Sequence, residues 1–290
     1  MSNLIVTIFY KFIEIKEPEQ FKKEHLAYCL SLGIKGRIYV GKEGINGTVS
    51  GTKKEIKQYK EYLEKQLQTE IDFKDDPVTK HPFTKMHVRV KEEIVVLEKD
   101  IDVQKTAPKI SAKEFKQLLD KNADIIILDT RNDYETKIGK FKNAITINIH
   151  NFRDFPQALA ELEKYKKKKI ITYCTGGIRC EKATVIMKNA GFIDVHQLDG
   201  GIIKYNHQYP NTYFQGRCFV FDSRLSVKMG EDIYSCENCN KKEGNYTNCR
   251  NLDCDKLVFY CNTCFETMDS FCSKECKQSK KVRKIERIIY

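Results

Sequence analysis

The sequence predicts an α+β domain followed by an α/β domain, with a small cysteine-rich module near the C-terminal end. Three observations carry that expectation. The first hundred residues order their strand-like and helix-like patterns as βαββαβ. From about residue 108, short apolar runs alternate with amphipathic helices, the rhythm of a mostly parallel sheet. Eight of the 12 cysteines then fall between Cys236 and Cys276. A length of 290 residues suffices for two domains and a small third module.

In the first region Leu4 to Tyr10 reads as an apolar strand and Glu19 to Leu32 as a helix. Arg37 to Lys42 and Thr48 to Ser50 flank Glu43-Gly44-Ile45-Asn46-Gly47, whose Asn-Gly step suits a hairpin turn. Ile56, Tyr59, Leu63 and Leu67 recur at helical spacing. The last strand is expected at Ile71 to Lys74, or at His87 to Val96 if Pro77 and Pro82 lie in a loop. This order is the ferredoxin-like (acylphosphatase-like) arrangement, with helices on one face of a small antiparallel sheet. Residues 1–98 are assigned to it, and the polar stretch 99–107 reads as a linker.

Residues 108–208 form the α/β region. Ser111 to Asp120 and Cys180 to Asn189 read as helices. Asp124 to Asp129, Ile145 to Ile149, Lys169 to Tyr173 and Asp194 to Leu198 read as strands. Residues 209–290 form a C-terminal extension that contains the cysteine module, 236–276.

The bulk numbers bound the partner and the compartment. The chain is 41% apolar and 31% charged, with 16 Phe and 15 Tyr to build cores, so a folded protein is expected. A net charge of +11 favours an anionic partner, nucleic acid first, although a general lysine bias would give the same excess. Met1 to Tyr10 lacks the features of a secretory signal. No apolar run approaches the roughly 20 residues needed to span a bilayer. A cytoplasmic protein without a membrane is the expectation, and in that reducing compartment the cysteines argue for metal and catalysis rather than disulfides.

Within the α/β region, Cys174 follows a buried strand and precedes a helix. Ligands in open α/β sheets collect at that strand end. In Thr175-Gly176-Gly177-Ile178 successive N–H groups can converge on one centre, and the helix N-terminus adds partial positive charge. Arg179 adds a full charge to stabilise a thiolate, the reactive form of a cysteine nucleophile. The same cradle would hold the outer sulfur of a persulfide. A buried structural cysteine is the plainer alternative for a lone Cys. Cys180 either serves as a resolving thiol for oxidised or persulfidated Cys174, or simply occupies the first helical turn.

These motifs carry a family resemblance. Residues 108–204 resemble a rhodanese domain through Asp129-Thr130-Arg131, Tyr134-Glu135, Gly139, Asn143-Ala144, the Cys174 loop and Leu198-Asp199-Gly200-Gly201. Tyr173-Cys-Thr-Gly-Gly-Ile-Arg-Cys-Glu-Lys182 resembles the loop of the tRNA uridine hydroxylases of the TrhO type. So do Gly36-Arg37-Ile38 with Glu43-Gly44-Ile45-Asn46-Gly47-Thr48, and Gly216-Arg-Cys218-Phe-Val-Phe-Asp222. The resemblance implies an oxidoreductase that hydroxylates C5 of the wobble uridine of tRNA, with molecular oxygen as co-substrate and a required cysteine at Cys174. Asp129 and Arg131 read as supporting residues that order the Cys174 loop through an ion pair.

In the tail, Cys236/Cys239, Cys249/Cys254, Cys261/Cys264 and Cys272/Cys276 form four pairs. Eight thiolates suffice for two closed tetrahedral zinc sites, which are structural. Metal binding would supply most of the folding energy of so short a segment. The pairing is sequential or cross-braced, and iron–sulfur ligation is the minor alternative. The basic residues Lys277, Lys280, Lys281, Arg283, Lys284 and Arg287, with Glu286 among them, form either an RNA-contacting arm or a solvated tail.

No flavin or NAD fingerprint and no P-loop is visible. The six histidines show no His-x-Asp or His-x-Glu pair for an iron site. The four glycines between Gly41 and Gly51 are expected to serve turn chemistry, and Cys29 and Cys218 to be packed. Two other functions stay open: a thiosulfate or persulfide sulfurtransferase, and a non-catalytic zinc-containing interaction module.

Overall fold

The computed structural model describes residues 3–283. Of the basic tail, Lys284, Glu286 and Arg287 lie outside the described residues. The chain divides into two compact units, 1–133 with 143–208 and 134–142 with 209–290.

The first unit opens with β1 (Leu4–Phe12), α1 (Pro18–Leu32), β2 (Lys35–Gly41), β3 (Gly44–Thr52), α2 (Lys53–Leu67), β4 (Lys74–Val78) and β5 (Met86–Val90). Local signals set the helix ends. Pro18 starts α1, where its missing N–H costs nothing, and Gly33 at φ 75° closes it. Thr52 and Glu55 form a reciprocal capping box on α2. The sheet order β4-β1-β3-β2 is the expected ferredoxin-like antiparallel arrangement, and β5 adds a fifth strand parallel to β2. Phe9, Ile38, Val49, Ile56, Tyr59 and Leu63 fill the core between sheet and helices, and Cys29 packs among them.

Two details differ from expectation. The hairpin turn is Lys42-Glu43, because Gly41 pairs with Gly44, and Asn46-Gly47 lies inside β3. Gly47 is there for packing rather than turning: a Cβ would sit 2.7 Å from the Phe9 ring and 2.9 Å from Ile38. The two places offered for the last strand both differ in bounds: β4 runs from Lys74 to Val78 and includes Pro77, rather than spanning Ile71 to Lys74, and β5 takes up Met86–Val90 where His87 to Val96 was the alternative. β4 is an edge strand, where the lost N–H of Pro77 breaks no interior ladder.

The unit continues with β6 (Lys109–Ile110), α3 (Ala112–Asp120) and β7 (Ile125–Asp129). The chain passes through α4 (Asp133–Thr136) and β8 (Gly139–Phe141), then returns with β9 (Ile145–Thr146), α5 (Phe155–Ala158), β10 (Lys169–Tyr173), α6 (Ile178–Asn189), β11 (Asp194–Leu198) and α7 (Gly201–Gln208). β9 keeps only two residues of the strand expected at Ile145 to Ile149. The sheet β6-β11-β10-β7-β9 is parallel throughout, with β10 central and buried on both faces. The stretch read as a linker is partly packed: Ala107 is buried and its N–H donates to Thr184 Oγ1 at 3.0 Å.

The second unit contains β8, β12 (Phe214–Phe219), β13 (Ser226–Lys228), β14 (Asn245–Asn248), β15 (Leu257–Tyr260), α8 (Asn262–Thr267) and α9 (Lys274–Lys277). β12 pairs with both β8 and β13 and buries Cys218. β14 and β15 form a hairpin whose buried Val258 and Tyr260 pack with Cys236, Cys261 and Cys264. No described helix is long and apolar enough to cross a membrane.

Candidate active site and metal centres

Cys174 leaves the C-terminal end of the central strand β10, whose last residues Tyr173 and Thr172 pair in register with Asp129 of β7 and Gln197 of β11. The chain then turns into α6 within three residues. Gly177 makes that turn at φ 104°, a conformation that side chains rarely adopt. Its N–H donates to Cys174 Sγ at 3.1 Å. The carbonyls of Cys174 and Thr175 accept from the N–H groups of Ile202 and Ile203 at 3.0 and 3.2 Å, which ties the loop to the start of α7. Gly201 permits this approach, since a Cβ there would lie 2.4 Å from the Cys174 carbonyl oxygen.

Arg179 is buried on the first turn of α6, and its Nη2 donates to Thr175 Oγ1 at 3.4 Å. Complete burial pushes the Cys174 thiol up. The Cys180 thiol, the Arg179 guanidinium and the N–H groups of Arg179 and Gly177 outweigh it and bring the thiol down to about 6. Cys180 moves the opposite way: burial raises it well above the usual thiol range, and hydrogen bonding to Cys174 raises it further. The two directions favour Cys174 over Cys180 as the thiol of the pair that ionises. Thr130 Oγ1 lies 3.6 Å from Cys180 Sγ.

Asp129 and Arg131 form a fully buried bidentate pair, Nε to Oδ1 at 2.9 Å and Nη2 to Oδ2 at 2.7 Å. The guanidinium also lies over the Tyr173 ring at 5.8 Å. Between them, the N–H and Oγ1 of Thr130 both donate to the Tyr173 carbonyl at 3.0 Å. The end of β7 is thereby clamped to the residue immediately before Cys174.

Two residues of α6 that the sequence analysis left without a role complete the surroundings. Glu181 accepts from Tyr10 Oη at 2.9 Å, Lys109 Nζ at 2.9 Å and Gln197 Nε2 at 3.1 Å. Lys182 is buried and reaches Glu43 at 2.9 Å, Glu93 at 2.6 Å and the Val95 carbonyl at 3.0 Å. A Glu-Lys step directly behind the cysteine loop, at the start of a helix that follows a buried strand, was the available signal.

In the second unit the cysteines group as Cys236, Cys239, Cys261 and Cys264, and as Cys249, Cys254, Cys272 and Cys276, each set with its sulfurs within 4.8 Å of one another. The pairing is thus cross-braced: the first pair joins the third, and the second joins the fourth. Tetrahedral zinc at a Zn–S distance near 2.3 Å requires sulfurs about 3.8 Å apart. The separations Cys239–Cys261 at 3.6 Å, Cys254–Cys272 at 3.6 Å and Cys272–Cys276 at 3.5 Å fit that edge. Outer donors are in place, with Asn238 Nδ2 3.2 Å from Cys264 Sγ and the Cys272 N–H 3.4 Å from Cys249 Sγ. Either cluster can hold a metal ion.

Comparison with known proteins covers most of the chain. Residues 4–94 match the UPF0176 acylphosphatase-like domain, 111–208 the rhodanese-like domain and 215–277 the rhodanese C-terminal domain. A tRNA uridine(34) hydroxylase of Cytophaga hutchinsonii is 42% identical over 284 residues, covering 96% of this chain and 91% of its own. One from Staphylococcus aureus is 39% identical over 300 residues, covering 98% and 92%. Among solved structures, a rhodanese-like domain from Anabaena matches 38% of this chain and 80% of its own at 24% identity and TM-score 0.33. With identity of this order along nearly its full length, the chain belongs to the tRNA uridine(34) hydroxylase family.

Proposed function

We propose that this protein is a cytoplasmic tRNA-modifying oxidoreductase that hydroxylates C5 of uridine-34, with molecular oxygen as co-substrate and Cys174 as its reactive group. The thiolate cradle carries the assignment of Cys174: a buried sulfur at a strand end, held by the Gly177 N–H and by Arg179, at the start of a helix. Low thiol pKa favours attack at neutral pH. Addition of the thiolate to C6 of uracil would make C5 electron-rich, and a sulfur or oxygen species carried on Cys174 is the other role open to it. Asp129, Thr130 and Arg131 hold the loop at its base, while Thr175, Gly176, Gly177 and Ile178 form the cradle. The net charge of +11 is consistent with a polyanionic substrate.

The two four-cysteine clusters are assigned to zinc. Closed four-thiolate sites leave no position for substrate, so each would hold the tail together rather than take part in the reaction.

Nucleoside mass spectrometry of tRNA tests the function, comparing cells with the intact protein, without it, and with Cys174→Ala. Hydroxylated wobble uridines are expected in the first strain alone. Their persistence in the other two, where no other enzyme makes them, would overturn the proposal. The cradle would equally hold the outer sulfur of a persulfide, so release of thiocyanate from cyanide is the assay for sulfur transfer.

A further inference from the structure

Cys174 and Cys180 are both completely buried, yet a base of tRNA has to reach the sulfur. The side chains over the loop come from the N-terminal domain. The nearest atom to a Cβ built on Gly176 is Ile8 Cγ2 at 3.9 Å. At Gly177 the three nearest atoms belong to Tyr10, with Oη at 2.9 Å and the ring carbons Cε1 and Cζ at 3.5 and 3.6 Å. Both residues are on β1.

We propose that β1 is a wall of the Cys174 site and that Tyr10 is a positioning residue for the reaction, its ring packed against the Cα of Gly177 and its hydroxyl pinning Glu181. This rests on the hydroxylase reading for its substrate but not for its geometry. Tyr10 occupies the space that a side chain at Gly177 would fill, so the loop packs directly against the ring. The phenol also donates to a carboxylate one residue beyond Cys180, on the helical turn that bears Arg179. Glu181 is the acidic group facing this turn, and Tyr10, Lys109 and Gln197 share its charge. The groups facing Cys174 are then Arg179 and Cys180 from α6 and Tyr10 from β1.

A second tie lies next door. Lys182 reaches Glu43 in the β2–β3 turn and Glu93 beyond β5, so two consecutive residues of α6 are gripped by the N-terminal domain. The wall is fastened where the helix begins, and admitting a nucleobase requires Ile8 and Tyr10 to give way.

The test uses the full, metal-loaded chain as the parent, Tyr10→Ala, Tyr10→Phe and Tyr10→Phe combined with Glu181→Gln. Alkylation of Cys174 by iodoacetamide is followed by peptide mass, which separates it from the other cysteines, across the pH range in which the thiol titrates. Turnover on tRNA gives kcat and KM. Tyr10→Ala removes the wall, and alkylation is expected to quicken by roughly tenfold or more as the sulfur becomes accessible. Tyr10→Phe keeps the ring but frees Glu181. The thiol midpoint should then move up and kcat fall several-fold with KM unchanged. Glu181→Gln in the same chain should bring the midpoint back down, a rescue that a merely structural role would not give. Alkylation of Tyr10→Ala within about twofold of the parent, or a Tyr10→Phe profile and kcat equal to the parent's, would overturn the proposal. Because alkylation needs no tRNA, a parent chain that alkylates as expected but hydroxylates nothing would sink the hydroxylase reading and leave the wall standing.

Discussion

At Cys174 one sulfur sits among partners that the fold supplies, whereas each tail cluster gathers four thiols whose shared partner would be a metal. The Cys174 loop draws its donors from elements fixed by other contacts: the Gly177 N–H, Arg179, and α7 behind the carbonyls. Remove the sulfur and those elements still have a core of Leu128, Ile170, Ala183 and Val195 to pack against. Around the first tail cluster, by contrast, the core is Val258 and Tyr260 with three of the cysteines themselves. In one region the fold holds the cysteine, and in the other the cysteines hold the fold.

The largest expected effect follows from that difference. Stripping the metal with a strong chelator should melt residues 236–276, since structural zinc contributes about 10–16 kcal/mol in comparably small modules. Hydrogen exchange should show protection lost along β14 and β15, together with two equivalents of released zinc. Cys261→Ser should uncouple the first cluster in the same way. The alkylation profile of Cys174 should survive chelation, because the partners named for it all belong to the first unit. A tail that keeps its protection without metal would erase the contrast.

How much of this was legible in the sequence depends on how local the cause is. β10 and β11 fall at Lys169–Tyr173 and Asp194–Leu198, where the apolar runs placed them, because a buried parallel strand is written continuously in its own residues. The Cys174 loop was readable for the same reason. Asn46-Gly47 misled because a glycine demanded by the Phe9 ring looks the same as a glycine demanded by a turn. Tyr10 gave no local hint and Lys182 only that of the Glu-Lys step, since their partners lie 171 and 139 residues away. The cross-braced pairing of the tail was equally hidden, because spacing alone admits both arrangements.

The next effect in size concerns the backbone of the loop. Gly177→Ala would place a Cβ at φ 104° and 2.9 Å from Tyr10 Oη, costing about 1–3 kcal/mol in strain and displacing the N–H that holds the sulfur. Gly191→Ala is the control: it has φ 88° but nothing within 4 Å, so it bears the conformational penalty of roughly 1 kcal/mol without the collision. Thermal melts of both should separate them. Only the first should slow alkylation of Cys174, and equal effects from the two would mean that the loop is not held from outside.

Arg179→Ala acts on charge instead of shape. The thiolate loses its nearby cation, so a higher pH is needed to form it, and the alkylation midpoint should rise from about 6 by roughly one to two units. At neutral pH the reactive fraction drops, while at alkaline pH the two chains converge. Arg179→Lys should recover part of the shift but not the hydrogen bond to Thr175 Oγ1. A midpoint that stays in place would assign the low pKa to the Cys180 thiol and the backbone donors.

Cys180 separates the two regions most cleanly. Each tail sulfur has three others as neighbours, whereas Cys174 has this one, and burial together with Cys174 itself keeps the proton on Cys180. Cys180→Ala removes the thiol hydrogen bond that stands first among the groups lowering Cys174, so the Cys174 midpoint should rise at least as far as Arg179→Ala moves it. Its second consequence is qualitative. Peroxide converts the Cys174 thiolate to a sulfenic acid, and an adjacent thiol condenses with that acid to a disulfide, releasing water. The intact chain should therefore stop at a product lighter by two hydrogens, and Cys180→Ala should proceed to the sulfinic acid. If the intact chain over-oxidises as readily as the variant, Cys180 is a proton carrier for the thiolate and not its resolving partner.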